Sequence, residues 1–230
     1  MFPYFDMKIT AHPSGDGDKK AIPAIMGSKG PIMTDETHQP FLPGFGLAPR
    51  RPRATGLPKH KAFLALKPDD CAAERISEVT LRLMQENGLA GRPLKHKNLH
   101  ISLPLVWEGA EFRPDLPEIV SARVQMVRVP PFEIILDMAM SFRQPKRHIL
   151  VLGATRSVAN IYNLNRQLVF AMGSRARKIA FTPHMTLLYT NKPVDKQPVE
   201  PVRWMAREFV LVHSFVGLGR HETVARWPLR

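Results

Sequence analysis

An internal repeat of strand, helix and strand is the feature of this chain that most constrains its fold. In the first half, an apolar run at 62–66 is followed by a helical pattern and then by the tetrapeptide His100-Ile-Ser-Leu. In the second half, an apolar run at 149–152 leads through another helical pattern to His184-Met-Thr-Leu. The strand ends are 86 residues apart and the two histidines 84. Two such units are too few for a solenoid, and they predict a two-lobed domain with a cleft between the lobes.

The remaining periodicity predicts a mixture of helices and strands. Asp69 or Asp70 can cap the first helix, Gly88 can end it, and Gly173 can end the second. Apolar residues at helical spacing mark the two helices: Ala72, Ile76, Val79 and Leu83, then Val158, Ile161, Leu168 and Met172. Further strands are predicted at 98–106, 132–136, 181–189, 209–212 and 222–227.

The first sixty residues differ from the rest in composition. They hold nine of the 22 prolines and show no sustained periodicity. Proline lacks the backbone proton and the free φ angle that regular structure needs. We therefore expect a largely irregular, proline-rich N-terminal arm at 1–60 and a folded domain at 61–230.

The charge of the chain narrows its class of partner. The chain carries 33 Lys and Arg against 20 Asp and Glu, a formal net charge of +13. Such a balance favours a polyanionic partner, most commonly a nucleic acid. No apolar run is long enough to span a membrane, Cys71 stands alone, and no secretory signal is evident. We expect a cytoplasmic protein, without a membrane or an obligate protein partner.

The two histidine tetrapeptides carry the chemistry. On a strand, residues i and i+2 share a face, so His100 should project with Ser102 and His184 with Thr186. An approximate two-fold symmetry axis between the lobes would bring both of these strand faces to one cleft. Phosphodiester cleavage needs a base for the nucleophile and an acid for the leaving oxygen, and histidine serves either role near neutral pH. The hydroxyls can donate to non-bridging phosphate oxygens.

This pair of motifs resembles the paired His-x-Thr/Ser-x signatures of the 2H phosphoesterase superfamily. Within it, the chain is most similar to the bacterial 2′-5′ RNA ligase family, also described as RNA 2′,3′-cyclic phosphodiesterases. Weaker supporting similarities occur, in the family's order, at 62–68, 91–93, 181–187, 208–214 and 225–229. Together these stretches span nearly all of 61–230.

The resemblance implies a bilobal α+β fold, with two pseudo-symmetric, largely antiparallel sheets, outer helices and a central cleft. It also implies hydrolysis of RNA 2′,3′-cyclic phosphate ends to 2′-phosphates without metal or cofactor, with reversible 2′-5′ RNA ligation as a further possible reaction of the same site. For a 2′-phosphate product the 3′ oxygen must leave. His100 is then assigned as the acid and His184 as the base, and the swapped assignment stays open because the site is pseudo-symmetric.

Two departures from the family pattern bear on substrate binding. Ser102 stands where Thr is common, which keeps the hydroxyl. Tyr189 stands where relatives often carry an arginine for the phosphate, so the phosphate needs another cation. The candidates for that role are Arg92, Lys97, Arg143 and Arg147. Tyr189 and Phe142 could each stack on a base or pack within the protein.

Two alternative functions remain open at this stage. One is a phosphodiesterase for small cyclic nucleotides or 2′-5′ oligoadenylates. The other is a non-catalytic RNA-binding module that keeps the fold. A metal site at His96 and His100 is disfavoured, because on a strand their spacing of four residues separates them by roughly 13 Å.

Overall fold

The computed structural model describes residues 59–144, 147–156, 158–173 and 181–230. The expected arm at 1–60 therefore lies outside the described residues, except for its last two positions. The first strand begins at His60. None of the described helices is both long and apolar enough to cross a membrane.

The described residues form eight strands, three α-helices and one short 3₁₀ turn. In chain order they are β1 (His60–Leu66), α1 (Asp70–Glu86), the 3₁₀ turn (His96–Asn98), β2 (Ile101–Gly109), α2 (Leu116–Val124), β3 (Phe132–Gln144), β4 (Arg147–Gly153), α3 (Val158–Ala171), β5 (His184–Thr190), β6 (Gln197–Ala206), β7 (Glu208–Phe215) and β8 (Arg220–Pro228).

The strands form an antiparallel sheet whose order reveals the duplication. The order is β6-β3-β4-β5-β2-β1-β7-β8. The two repeat units, β1–α1–β2 and β4–α3–β5, meet at the centre, where β2 pairs with β5. Outward from this centre, β1 and β4, then β7 and β3, then β8 and β6 occupy equivalent positions. The predicted antiparallel α+β fold with two pseudo-symmetric halves is confirmed. The two halves are hydrogen-bonded into one sheet, and in the described residues Ile101 and Met185 are the pair that links them.

Helix α1 forms where capping and periodicity predict it. The Asp69 side chain accepts a hydrogen bond from the Ala72 backbone N–H at 2.8 Å, which caps the first turn. The apolar stripe that includes Ile76 and Leu83 is buried. Gly88 follows the helix at φ +55°, a conformation that glycine adopts without steric cost. In α3, Ile161, Leu164 and Leu168 form the buried stripe, and Gly173 follows at φ +64°.

Two elements escape the sequence patterns for identifiable reasons. Strand β6 contains Pro198 and Pro201, which the sheet tolerates because β6 lies at its edge. Helix α2 has only nine residues, with Pro117 in its first turn and a buried stripe of Leu116, Val120 and Val124. The prolines of β6 and the short length of α2 leave too little periodicity for the sequence alone to indicate either element.

The helices cover the face of the sheet that carries the main hydrophobic core. Helix α1, which follows β1, contacts β6 in the other half, and α3, which follows β4, contacts β2. Each repeat therefore supplies the helix that packs against a strand of the other half. Ile101 and Met185 belong to this core and have no exposed surface. The residues that alternate with them consequently face the side without the helices.

Candidate active site

The register of the two central strands brings the histidine tetrapeptides together. Ile101 pairs with Met185 in an antiparallel ladder. In such a ladder, the residue before one partner lies opposite the residue after the other. His100 therefore lies opposite Thr186, and Ser102 lies opposite His184, with opposing Cβ atoms about 5 Å apart. All four side chains alternate with the buried pair, so they share the other face of the sheet.

The two imidazoles are oriented by the same local hydrogen bond. Nδ1 of His100 lies 2.6 Å from the Asn98 carbonyl oxygen, and Nδ1 of His184 lies 2.8 Å from the Thr182 carbonyl oxygen. A carbonyl oxygen only accepts, so Nδ1 is the protonated nitrogen and donates in both rings. Each Nε2 then keeps its lone pair and can take a proton. The duplication is thus seen both in the strand order and in the hydrogen bond that orients each imidazole.

Both rings favour the neutral state in the free protein. Burial lowers the pKa of His100 to about 4, against a weaker upward effect of the bond to the Asn98 carbonyl. The positive charges of His221, Lys67 and His184 lower the pKa of His100 further. Burial also lowers the pKa of His184, again opposed by its backbone hydrogen bond.

Aromatic rings pack against His100 on the β1 and β8 side. The His100 ring lies 5.0 Å from the Phe63 ring and 5.3 Å from the His221 ring, centroid to centroid, and the His221 contact is edge to face. His221 also meets Phe63 edge to face at 5.8 Å. Sequence reasoning missed His221, because β8 lies far from both motifs along the chain. The alternation of residues along β8 could have indicated it. His221 pairs with Ser214 on the face of the sheet that carries the two motif histidines, the active-site face.

Among the described residues, the neighbours of His184 on this face are aromatic and apolar. Phe142 meets the His184 ring edge to face at 4.8 Å. Gly153 on β4 pairs directly with His184, and it leaves room there for the Met140 side chain, whose Cε lies 3.2 Å from the position of a Cβ on Gly153. Of the predicted substrate-binding residues, Phe142 is therefore the one that the structure places against a motif histidine.

The other predicted binding residues lie farther from the two rings. The Arg147 guanidinium lies over the Tyr189 ring, 4.0 Å from its centroid, so the exposed tyrosine stacks on an arginine supplied by β4. Arg143 follows Phe142 on β3 and so projects to the opposite face. Arg92 is exposed in the loop beside β5, where the Leu94 N–H donates to the Leu187 carbonyl at 2.8 Å.

A lysine that the sequence analysis did not select, Lys67, lies close to His100. Lys67 follows β1, and its Nζ donates to the carbonyl of Lys97 at 2.9 Å and to Oγ1 of Thr223 at 3.4 Å. Lys97 is itself exposed in the 3₁₀ turn, so it contributes a backbone carbonyl here. Burial, followed by the charge of Arg226, lowers the pKa of Lys67.

His96 lies in the same turn and is exposed. Among the described residues, no three His, Cys, Asp or Glu side chains gather as a metal site would require.

Two imidazoles and two hydroxyls, presented by the central strands of a duplicated antiparallel fold, match the paired-motif arrangement of the 2H phosphoesterase superfamily. A family model described as the 2′-5′ RNA ligase superfamily matches residues 68–214, and the chain belongs to that superfamily. The family resemblance carried by the motifs is thus confirmed.

Solved structures agree with this assignment. E. coli LigT complexed with ATP is 25% identical over 74% of this chain and 98% of its own, with a TM-score of 0.57. E. coli LigT complexed with phosphate is also 25% identical, over 76% and 99%, with a TM-score of 0.57. The protein TT0787 of Thermus thermophilus, at 20% identity over 74% and 98% and a TM-score of 0.54, shows the same fold. No curated protein sequence matches the chain.

Proposed function

We propose that this protein hydrolyses 2′,3′-cyclic phosphate ends of RNA to 2′-phosphates. The observation that carries the proposal is the Ile101–Met185 register, which presents two imidazoles and two hydroxyls on one face. The formal net charge of +13 favours a nucleic acid as substrate. The structures of E. coli LigT complexed with phosphate and with 3′-AMP support a phosphate or nucleotide ligand for this fold.

The reaction needs one proton acceptor and one proton donor. His184 Nε2 takes a proton from water, and the water oxygen attacks phosphorus. The bond from phosphorus to the 3′ oxygen breaks, and protonated His100 gives its Nε2 proton to that oxygen. The 2′ oxygen keeps the phosphate. The two rings finish with their protonation exchanged, and solvent restores them.

The neutral resting state of both rings is compatible with this cycle. A phosphodiester anion between the rings stabilises an imidazolium, so substrate binding raises the pKa of the ring that holds the proton. Ser102 and Thr186 donate to the non-bridging oxygens, where charge grows in the transition state. If the 5′ hydroxyl of a second RNA replaces water as the nucleophile, the same base and acid would join the two RNA ends through a 2′-5′ linkage.

The direct test is turnover of an oligonucleotide with a 2′,3′-cyclic phosphate end in the presence of EDTA. We expect a 2′-phosphate product, and a rate that falls about 100- to 10,000-fold in His100→Ala and in His184→Ala. His148→Ala is the control, because His148 alternates on β4 with residues of the active-site face and so projects away from it. Wild-type inactivity, or full activity in both alanine variants, would falsify the proposal.

The same assay separates the alternative functions. A phosphodiesterase for small nucleotides would turn over a mononucleotide 2′,3′-cyclic phosphate faster than the RNA end. A non-catalytic module would turn over neither, and its RNA binding would weaken with salt but not respond to alanine at His100 or His184.

A further inference from the structure

The face that carries the histidines differs in character on its two sides. On the His184 side, the described neighbours are Phe142 and the Met140 side chain near Gly153. On the His100 side, β1 and β8 contribute Lys67 and His221. The sheet is pseudo-symmetric, but among the described residues one flank of the site is apolar and the other is cationic.

The cationic flank is a cluster formed by Lys67, His221, Thr223 and Arg226. Val212 pairs with Thr223, Ser214 with His221 and Val210 with Arg226, so the three β8 residues share one face. Lys67 joins them through its 3.4 Å bond to Oγ1 of Thr223. Leu66 pairs with Ile101 in an antiparallel ladder, so Lys67 lies opposite His100. The charge of Lys67 lowers the pKa of both His100 and His221.

Lys67 lacks an anionic partner within the part of the chain that the structure describes. Its two hydrogen-bond acceptors, the Lys97 carbonyl and the Thr223 hydroxyl, are uncharged. None of the ion pairs among the described residues includes it. Arg226, in contrast, pairs with Glu208 at 2.5 Å. A half-buried cation without a carboxylate is stabilised strongly when an anion binds.

His221 supplies a second unpartnered polar group at the same place. Its Nδ1 is buried and has no hydrogen-bond partner among the described residues. Buried polar atoms are normally paired, and an exception in a cleft indicates a missing ligand or water. Lys67 and His221 therefore offer at least two hydrogen-bonding positions next to the ring of His100.

A groove continues from this cluster along the protein surface. It has a volume of ≈ 890 Å³, and Lys67 and Arg226 line it. The other charged or titratable lining residues are His96, Lys97 and Arg207 together with Asp69, Asp70 and Glu208. The basic groups outnumber the acidic ones, which suits a flexible phosphate backbone better than a neutral ligand.

We propose that Lys67 and His221 form a second phosphate-binding subsite, which takes the phosphate on the 5′ oxygen of the nucleoside whose 2′,3′-cyclic phosphate lies between His100 and His184. The proposal rests on the proposed function and specifies its substrate class as a nucleotide end with a 5′ phosphate, of which an RNA chain is the main example. The groove then receives the preceding nucleotides.

The subsite would also orient the substrate in the pseudo-symmetric site. In a ribose ring, the 3′ carbon is bonded to the 4′ carbon, which carries the 5′ carbon and its phosphate, whereas the 2′ carbon is bonded to the 1′ carbon, which carries the base. A 5′ phosphate on Lys67 therefore directs the 3′ oxygen towards His100 and the base towards Phe142. His100 is then the acid for the leaving 3′ oxygen. The bound phosphate neutralises Lys67 and so makes protonation of His100 easier.

The test compares uridine 2′,3′-cyclic phosphate with the same compound carrying a 5′-phosphate. We expect wild type to have a KM on the order of tenfold lower for the 5′-phosphorylated compound, the size typical of one charge-assisted phosphate contact. Lys67→Met should remove this preference by raising the KM of the 5′-phosphorylated compound, and Lys67→Arg should retain most of it. His221→Phe, which keeps a ring against His100, should reduce the preference partly.

A matched control is available on the same strand. Lys61→Met removes the same charge about 20 Å away along β1, where Lys61 pairs with Glu108. It should keep the tenfold preference. With single-stranded RNA ends, Lys67→Met should also reduce the slope of log affinity against log salt by about 0.7, the value for one lost phosphate contact.

A binding measurement separates the subsite from the catalytic proposal. Wild type should bind adenosine 3′,5′-bisphosphate on the order of tenfold more tightly than adenosine 3′-phosphate, and Lys67→Met should not. Equal effects of Lys67→Met on ligands with and without the 5′ phosphate would overturn the subsite and leave the proposed function intact. Absence of turnover with the binding preference retained would overturn the proposed function and support the subsite.

Discussion

The pKa of His100 predicts a specific loss of stability in mild acid. Burial depresses this pKa from 6.5 to about 4 in the folded protein. Above pH 6.5 the ring is neutral in both the folded and the unfolded chain, and it contributes no pH dependence. As the pH falls below 6.5, the unfolded chain takes up the proton first, because the folded protein resists it until about pH 4. The free energy of unfolding therefore decreases between these two pH values.

The size of this loss follows from the shift. A depression of about 2.5 pKa units, at about 1.36 kcal/mol per unit, amounts to about 3 kcal/mol between pH 6.5 and pH 4. For a domain of ordinary stability, this is a large fraction of the total. The pKa values of His184, His213 and His221 are also lowered, with burial as the main cause, so the wild-type decrease should exceed the contribution of His100 alone.

The assay is urea unfolding followed by circular dichroism at intervals from pH 7.5 to pH 4. We expect His100→Gln to lose about 3 kcal/mol less than wild type across this range, because glutamine does not titrate. His148→Gln, a half-buried position outside the active-site face, should follow wild type. Comparing each protein with itself at pH 7.5 removes any direct effect of the substitution on stability.

Parallel pH profiles for wild type and His100→Gln would refute the reasoning. That result would mean that the imidazole takes up its proton at the same pH in the folded and the unfolded chain. The inference that His100 rests in the neutral state would then be wrong, and substrate binding would not need to raise its pKa before it acts as the acid.

Three further predictions test the elements that position the site. Asp69→Ala should destabilise the protein by about 1 kcal/mol in urea unfolding, because it removes the α1 cap. Gly91→Ala should cost about 1–3 kcal/mol in the same assay, since its φ is +149° and a Cβ would lie 2.6 Å from the Tyr189 carbonyl oxygen; unchanged stability would contradict the described loop. Phe142→Leu should lower kcat for cyclic phosphate hydrolysis several-fold, because it removes the edge contact that supports the His184 ring, whereas an unaltered kcat would show that the ring is held in place without it.

Local patterns were sufficient to predict the repeat and most of its elements. The cap at Asp69, the stripes of both long helices and the alternation around His100 and His184 depend on neighbours within a few residues. Such short-range patterns can be recognised in the sequence without knowledge of the tertiary structure. Such a pattern is weak in α2, which has only nine residues, and in β6, which two prolines interrupt.

The sequence was therefore sufficient to identify the two motif histidines. It was not sufficient to show that they lie on one face of adjacent strands. The Ile101–Met185 pair joins strands from separate repeat units, and such a register depends on how two halves bury their apolar faces together. The same long-range packing places Lys67 and His221, from β1 and β8, beside His100. Because these contacts join segments far apart along the polypeptide, no local spacing encodes them. Only the tertiary structure decided that, in the part of the chain it describes, the His100 side of this duplicated site carries a cation and the His184 side carries apolar side chains.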